Sequence, residues 1–172
     1  AAAVFDTAGI ALRTELDLGY GKPHHMWIGA EVDTSLSLKG LGAFGGLRAN
    51  APWGFVRFGP RWWTGTGQSL LEPAESYNRA QLDVNGELKS KYLSIDGELG
   101  FSIPLPVGAI GGLITAYGIL AVPDGYYVFE DSLRAIIDPP FVGRARLSYL
   151  AGIGKPDTLR VGGLVELIYN PG

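Results

Sequence analysis

The sequence predicts an all-β chain: an antiparallel up-and-down transmembrane β-barrel of about ten strands. Eight strands, or a piece of a larger barrel, are the other forms of the same expectation. Three observations carry it. Apolar and polar residues alternate with period two in six long segments. Turn-forming residues separate those segments at short intervals, and no helical period competes. Gly is 26 of 172 residues, roughly double ordinary usage, as a tightly curved sheet needs.

The series opens with IALRTELDLGY, residues 10–20. Ile10, Leu12, Leu16, Leu18 and Tyr20 share one face with Thr14, and Arg13, Glu15 and Asp17 take the other. Residues 26–38 set Ile28, Ala30, Val32, Leu36 and Leu38 against Glu31, Asp33, Ser35 and Ser37. Residues 41–50 and 53–63 are less regular, with Arg48 in the first and Arg57 and Arg61 on one parity of the second. Residues 80–89 oppose Leu82, Val84 and Leu88 to Asp83, Glu87 and Lys89. Residues 92–103 oppose Leu93, Ile95, Leu99, Phe101 and Ile103 to Asp96 and Glu98. Residues 109–122 are apolar and less patterned. Residues 126–137 carry Glu130 beside Asp131, and Arg134, which reads as a bulge or a late strand start. Residues 141–153 oppose Leu147 and Tyr149 to Arg144 and Arg146, and residues 158–169 oppose Val161, Val165, Leu167 and Tyr169 to Arg160 and Glu166. GKPH, NAPWG, PLPVG, VPDG, DPP and GKPD punctuate these runs. The one long connection is 64–78. No domain boundary interrupts 1–172, which reads as a single β-barrel domain.

Alternation leaves open which face is wet. A soluble barrel hides the apolar face, whereas a membrane barrel turns it to lipid and fills the lumen with the polar one. Three features favour the membrane. Cations inside the expected strands are Arg (13, 48, 57, 61, 134, 144, 146 and 160), while Lys22, Lys39, Lys91 and Lys155 fall in turns. The planar guanidinium fork suits a crowded interior with carboxylates to grip. Aromatics gather at strand ends, as two girdles would require. Counting turns places Tyr20, Trp27, Trp53, Tyr92, Tyr126 and Tyr127 on one rim, and Trp62, Trp63, Phe101, Phe141 and Tyr169 on the other. Strands of ten to thirteen residues also exceed the ~9–11 that cross a bilayer at a tilt.

At this point the chain resembles the small bacterial outer-membrane β-barrel proteins. Arg160-Val161-Gly162-Gly163-Leu164-Val165-Glu166-Leu167 is similar to the assembly signal in that family's final strand. Two features depart from the family. Tyr169 is followed by Asn170, Pro171 and Gly172 instead of closing the chain on an aromatic. The long connection 64–78 counts to the side of the termini. The resemblance implies an outer-membrane location, a lipid bilayer as partner and other envelope proteins as further partners.

Composition excludes several classes. Net charge −3 gives no footprint for nucleic acid. The absence of Cys removes disulfides and thiolate metal sites. Mean hydropathy is +0.15 and charged residues are 18 %. No apolar run reaches the ~18 residues of a membrane helix. The initial AAA fits the remnant of a cleaved leader. His24 and His25 are the only histidines, adjacent in a turn and without an assignable Ser. Glycines 42, 45 and 46 make no phosphate loop. Paired carboxylates such as Glu15/Asp17, Glu31/Asp33 and Asp96/Glu98 recur on several strands, which argues for a lining instead of one catalytic site.

The expectation is therefore a non-enzymatic barrel without cofactor or metal. Its lumen would hold Arg13, Glu15, Asp17, Glu31, Asp33, Arg48, Arg57, Arg61, Asp83, Glu87, Asp96, Glu98, Arg134, Arg144, Arg146, Arg160 and Glu166. It would serve as membrane anchor or subunit of an envelope assembly. The alternatives are a narrow channel for small polar solutes, a lipid-acting barrel enzyme and a soluble lipocalin-like carrier of apolar ligands. If the last strand closes on the first, Arg160 should approach Asp17 or Glu15, and Glu166 should approach Arg13.

Overall fold

The computed structural model describes residues 2–6, 9–22, 25–78, 88–130, 133, 135–153 and 159–171. Asp83, Glu87, Arg134 and His24 lie outside the described residues. The chain is all-β. In order, the strands are β1 (Ala2–Asp6), β2 (Gly9–Gly21), β3 (Trp27–Ser37), β4 (Gly40–Ala51), β5 (Gly54–Ser69), β6 (Lys89–Pro104), β7 (Ala109–Leu120), β8 (Val128–Glu130), β9 (Ala135–Ile137), β10 (Phe141–Ile153) and β11 (Leu159–Tyr169). Nine of them form one antiparallel sheet in the order β1-β2-β3-β4-β5-β6-β7-β10-β11. Apart from β1, each of these described strands has at least eleven residues.

Strand order follows chain order because short turns let each strand fold back on its predecessor. The register fixes the faces. Glu15 lies opposite Asp33, Asp17 opposite Glu31, Arg57 opposite Glu98 and Arg146 opposite Glu166. Directly paired residues point to the same side, so the charges of successive strands share one face. The sheet curls toward that face. Arg57 on β5 consequently reaches Glu31 on β3 across the intervening strand, 3.0 Å away.

Burial is inverted relative to a soluble sheet. On the charged face Glu31 is only 1 % exposed, while on the opposite face Leu16 is 69 % exposed. Leu18, Val32, Leu47, Phe58, Ile114, Leu147, Val165 and Leu167 continue that exposed apolar surface.

The turns 52–53 and 105–108, with Lys22 and Met26, mark one rim. The turn 38–39, the end of β5, the start of β6, the end of β7 and the start of β10 mark the other. One expectation changes here. Among the described residues of segment 126–137, β8 and β9 form a ladder only with each other, packed on the charged face and outside the main sheet. Of segment 80–89 only Leu88 and Lys89 are described, and Lys89 already belongs to β6. Because β5 pairs antiparallel with β6, and β6 with β7, Tyr92, Tyr126 and Tyr127 fall at the rim of Trp62, Trp63 and Tyr169. Phe101 falls at the rim of Tyr20, Trp27 and Trp53. Lys91 lies within β6, exposed beside the rim of Trp62 and Trp63.

A buried cluster joins hairpin and wall: Tyr92, Tyr117, Ile119, Val128, Leu133, Ile137 and Val142, with Trp63, Leu70 and Val122 against it. Aromatic rings also lie over glycines. Trp27 covers Gly19 and Gly29, Trp63 covers Gly40 and Gly42, Phe55 covers Gly100 and Phe101 covers Gly112, each leaving no room for a methyl group.

The sheet is not closed. Among the described residues, β11 pairs only with β10 and β1 only with β2, and no ladder joins the two edges. β1 occupies the outer edge of β2 from Gly9 to Arg13. Glu166 is held within the β10–β11 pair by Arg144, at 2.6 Å, and by Arg146. The expected contact of Glu166 with Arg13 across a seam is replaced by these two.

Candidate functional site

The charged face carries two linked networks. The first is centred on Glu31. Its neighbours along the inner parity of β3 to β5 are Arg48 and Arg57, since Gly29 pairs with Arg48 and Arg48 with Arg57. Arg48 Nη1 lies 3.3 Å from Glu31 Oε2 and 3.7 Å from Glu15 Oε1, and Arg48 Nε donates to Asn50 Oδ1 at 2.9 Å. Arg57 Nη2 lies 3.0 Å from Glu31 Oε1 and also grips Asp33. Phe55 lies under Arg48 and Phe44 under Arg57, with ring centres 5.0 and 3.9 Å from the guanidinium carbons. Stacking suits a planar cation that is only partly hydrated.

The second network is centred on Arg61 of β5. Its Nε lies 2.7 Å from Asp96 Oδ2, and its Nη1 donates to Glu130 Oε1 at 2.9 Å. Tyr92 donates its hydroxyl to the other Glu130 oxygen, and the Tyr117 ring lies 4.9 Å from the guanidinium. Gln68 Nε2 donates to the Phe129 carbonyl beside Glu130. The hairpin is thus fixed to the wall through one buried carboxylate.

Between the networks lies a cavity of about 580 Å³. Its charged lining comprises Glu15, Asp33, Asp96 and Glu98 against Arg13, Arg57 and Arg61. Three polar atoms of the lining residues, Asp33 Oδ1, Arg57 Nε and Arg61 Nε, are buried without a well-aligned hydrogen bond among the described residues, and of these Arg61 Nε is ion-paired with Asp96. The carboxylates of Glu15, Glu31 and Asp33 approach within 4.8 Å of one another. Arg48 and Arg57 already pair with all three carboxylates, so the cluster reads as an ion network.

The remaining charged positions lie on the same face of the sheet. Arg13 and Asp17 stand on β2, exposed near the open edge. Glu98 pairs across to Thr115, and Arg144 stands opposite Thr115 from the other side. Arg160, opposite Gly152, is exposed on β11.

The aromatics divide between faces. Tyr20, Trp53, Trp62 and Tyr169 are exposed. Tyr126 and Tyr127 belong to the connection after β7, where Tyr127 exchanges backbone hydrogen bonds with Leu71. Trp27, Trp63 and Tyr92 lie on the charged face: Trp27 and Tyr92 are buried, and Trp63 packs against the hairpin cluster. The sequence reading treated all of these as one interface class. Strand parity separates them, because Trp27 shares parity with Glu31, Trp63 with Arg61, and Tyr92 with Asp96. The same signal would have found Phe44, Phe55 and Tyr117 as partners of the Arg residues.

Against protein-family models, curated proteins and solved structures, the chain finds no match.

Proposed function

We propose that the chain is the wall of a non-enzymatic β-barrel embedded in the bacterial outer membrane. It would act there as an anchor or subunit of an envelope assembly, with the charged face enclosed as lumen. One observation carries the reading: Glu31 and Glu130 are buried on the charged face, with Arg61 half-buried between them, while Leu16, Phe58, Ile114 and Val165 are exposed on the other. Water as the only solvent would favour the reverse, since each exposed side chain of this size forgoes ~1.5–3 kcal/mol of burial. Lipid outside and a polar interior match it. A soluble carrier of apolar ligands would need an oily concave face, which these residues do not supply.

The test is partition. Expressed with an outer-membrane leader, the chain should remain with the membrane fraction through high salt and alkaline carbonate, and enter solution only with detergent. A folded, monodisperse protein in detergent-free buffer would defeat the proposal. A narrow channel is the second reading, favoured by the cavity with its unpartnered Asp33 Oδ1 and Arg57 Nε. Steady conductance in planar bilayers would distinguish it from a sealed anchor.

A further inference from the structure

We propose that the β8–β9 hairpin is a withdrawable plug across one mouth of the lumen, and that releasing it opens a path for small hydrated ions, with cations preferred. This rests on the membrane reading above.

The hairpin spans the mouth. On one side Lys39, in the turn between β3 and β4, holds its Nζ 5.6 Å from the centre of the Phe129 ring. On the other side Asn170, just past β11, donates from Nδ2 to the Ile136 carbonyl at 3.4 Å. The intervening contacts come from β5 and β6: Gln68 to Phe129, Tyr92 to Glu130, and Arg61 to Glu130. The rim crossed is the one carrying the two long connections.

The plug is also separable from the wall. Among the described residues, β8 and β9 have ladder partners only in each other. A single isolated bridge, Leu71 with Tyr127, ties the segment to the chain entering the other long connection. Withdrawal therefore breaks no rung of the wall. It breaks the Glu130 contacts and uncovers Val128, Leu133 and Ile137, which are buried to 3 % exposure or less. Of the polar contacts, those of Glu130 form the latch. When it leaves, Arg61 keeps Asp96 at 2.7 Å, so the wall retains a neutralised cation.

Behind the plug lies the cavity already described, which Arg61 and Asp96 join to the latch. Its charged lining has four acids against three bases, a balance of −1 that favours cations modestly. The volume is ample for hydrated monovalent ions, and the unpartnered polar atoms along it are suited to water.

The experiment uses the full chain reconstituted in planar bilayers of phosphatidylcholine and phosphatidylglycerol in potassium chloride. Insertion is scored in matching vesicles by protease protection. Glu130→Ala should raise the open probability at least tenfold over the native chain, with a reversal potential in a salt gradient on the cation side. The chain has no cysteine, so Leu71→Cys with Tyr127→Cys introduces a unique pair. Their reciprocal backbone hydrogen bonds, 2.9 and 2.8 Å, mark a directly opposed pair within disulfide reach. Added to Glu130→Ala, the oxidised pair should return conductance to the native level, and dithiothreitol should restore it. Inserted Glu130→Ala that conducts like the native chain, or a cross-link without effect, overturns the plug and leaves the membrane reading standing. If none of the proteins inserts, the membrane reading fails and the plug with it.

Discussion

Ile114 sits mid-strand in β7, opposite Leu99 on one side and Ala145 on the other, and half of its surface is exposed. On a protein in water, placing Arg there is an ordinary surface change, worth within ~0.5 kcal/mol. On a wall facing lipid near the midplane, the same change costs ~2–4 kcal/mol. That corresponds to a roughly 30- to 700-fold fall in the folded-to-unfolded ratio. Leu120 supplies the internal control. It shares the strand and the face, is 46 % exposed, and lies six residues nearer the rim, about 20 Å along the strand. Arg there should cost only ~0–1 kcal/mol, because the side chain reaches the headgroups. The assay is reversible urea unfolding from short-chain phosphatidylcholine vesicles, followed by tryptophan fluorescence. Equal effects at the two positions, both below about half a kcal/mol, would refute the assignment of the convex face to lipid.

Other outcomes follow from the same geometry. Lipid-borne bromine quenchers should reach Trp53 and Trp62 at headgroup depth but leave Trp27 and Trp63 largely unquenched; single-tryptophan variants check this, and strong quenching of Trp27 from the bilayer centre would contradict it. Glu31→Ala strands Arg48 and Arg57 beside a vacated buried site and should destabilise the fold by about 3 kcal/mol, the low end for breaking a buried pair, since Glu15 and Asp33 remain. Gly112→Ala drives a methyl into the Phe101 ring and should cost ~1–3 kcal/mol in the same unfolding assay; Phe101→Leu should recover part of it, giving a coupling above ~0.5 kcal/mol in a double-mutant cycle. Leu16→Arg should be more damaging than Glu15→Gln, because one faces the convex side and the other the partly exposed rim of the charged network; the reverse order of unfolding midpoints would invert the faces.

Parity was the legible part of the sequence. Period two separates Glu31 from Val32 and Arg57 from Phe58 without any knowledge of neighbours, so each strand's two faces could be read locally. Rim position was less legible, because it depends on counting turns. A miscount upstream of Tyr92 moved it, and with it Tyr126 and Tyr127, to the wrong end. The hairpin was hidden for a related reason. Segment 126–137 breaks its alternation at Glu130 and Asp131, which reads as a bulge within one strand as readily as a change of partner between β8 and β9. The Glu130 latch, formed with residues 38 and 69 positions away, left no local trace beyond the adjacent acids Glu130 and Asp131. The sheet's open edges were equally invisible, since pairing between distant strands is a property of the folded sheet alone.

Alternation has a blind spot of its own. A ladder that slips by one residue turns Leu16 inward and is penalised at once, but a slip of two restores every face and goes unnoticed by hydrophobic pattern. The rings lying on glycines can register that second kind of error. Phe101 has room only where its cross-strand neighbour lacks a Cβ, and Phe55 likewise at Gly100. Shift β6 by two against β7 and Phe101 meets Ile110 or Ile114; shift it against β5 and Phe55 meets Glu98 or Ser102. The pegs sit at four seams: Trp27 between β2 and β3, Trp63 between β4 and β5, Phe55 between β5 and β6, and Phe101 between β6 and β7. Each checks its own seam, so alignment at these four is verified as each pair zips, without waiting for the last strand to arrive.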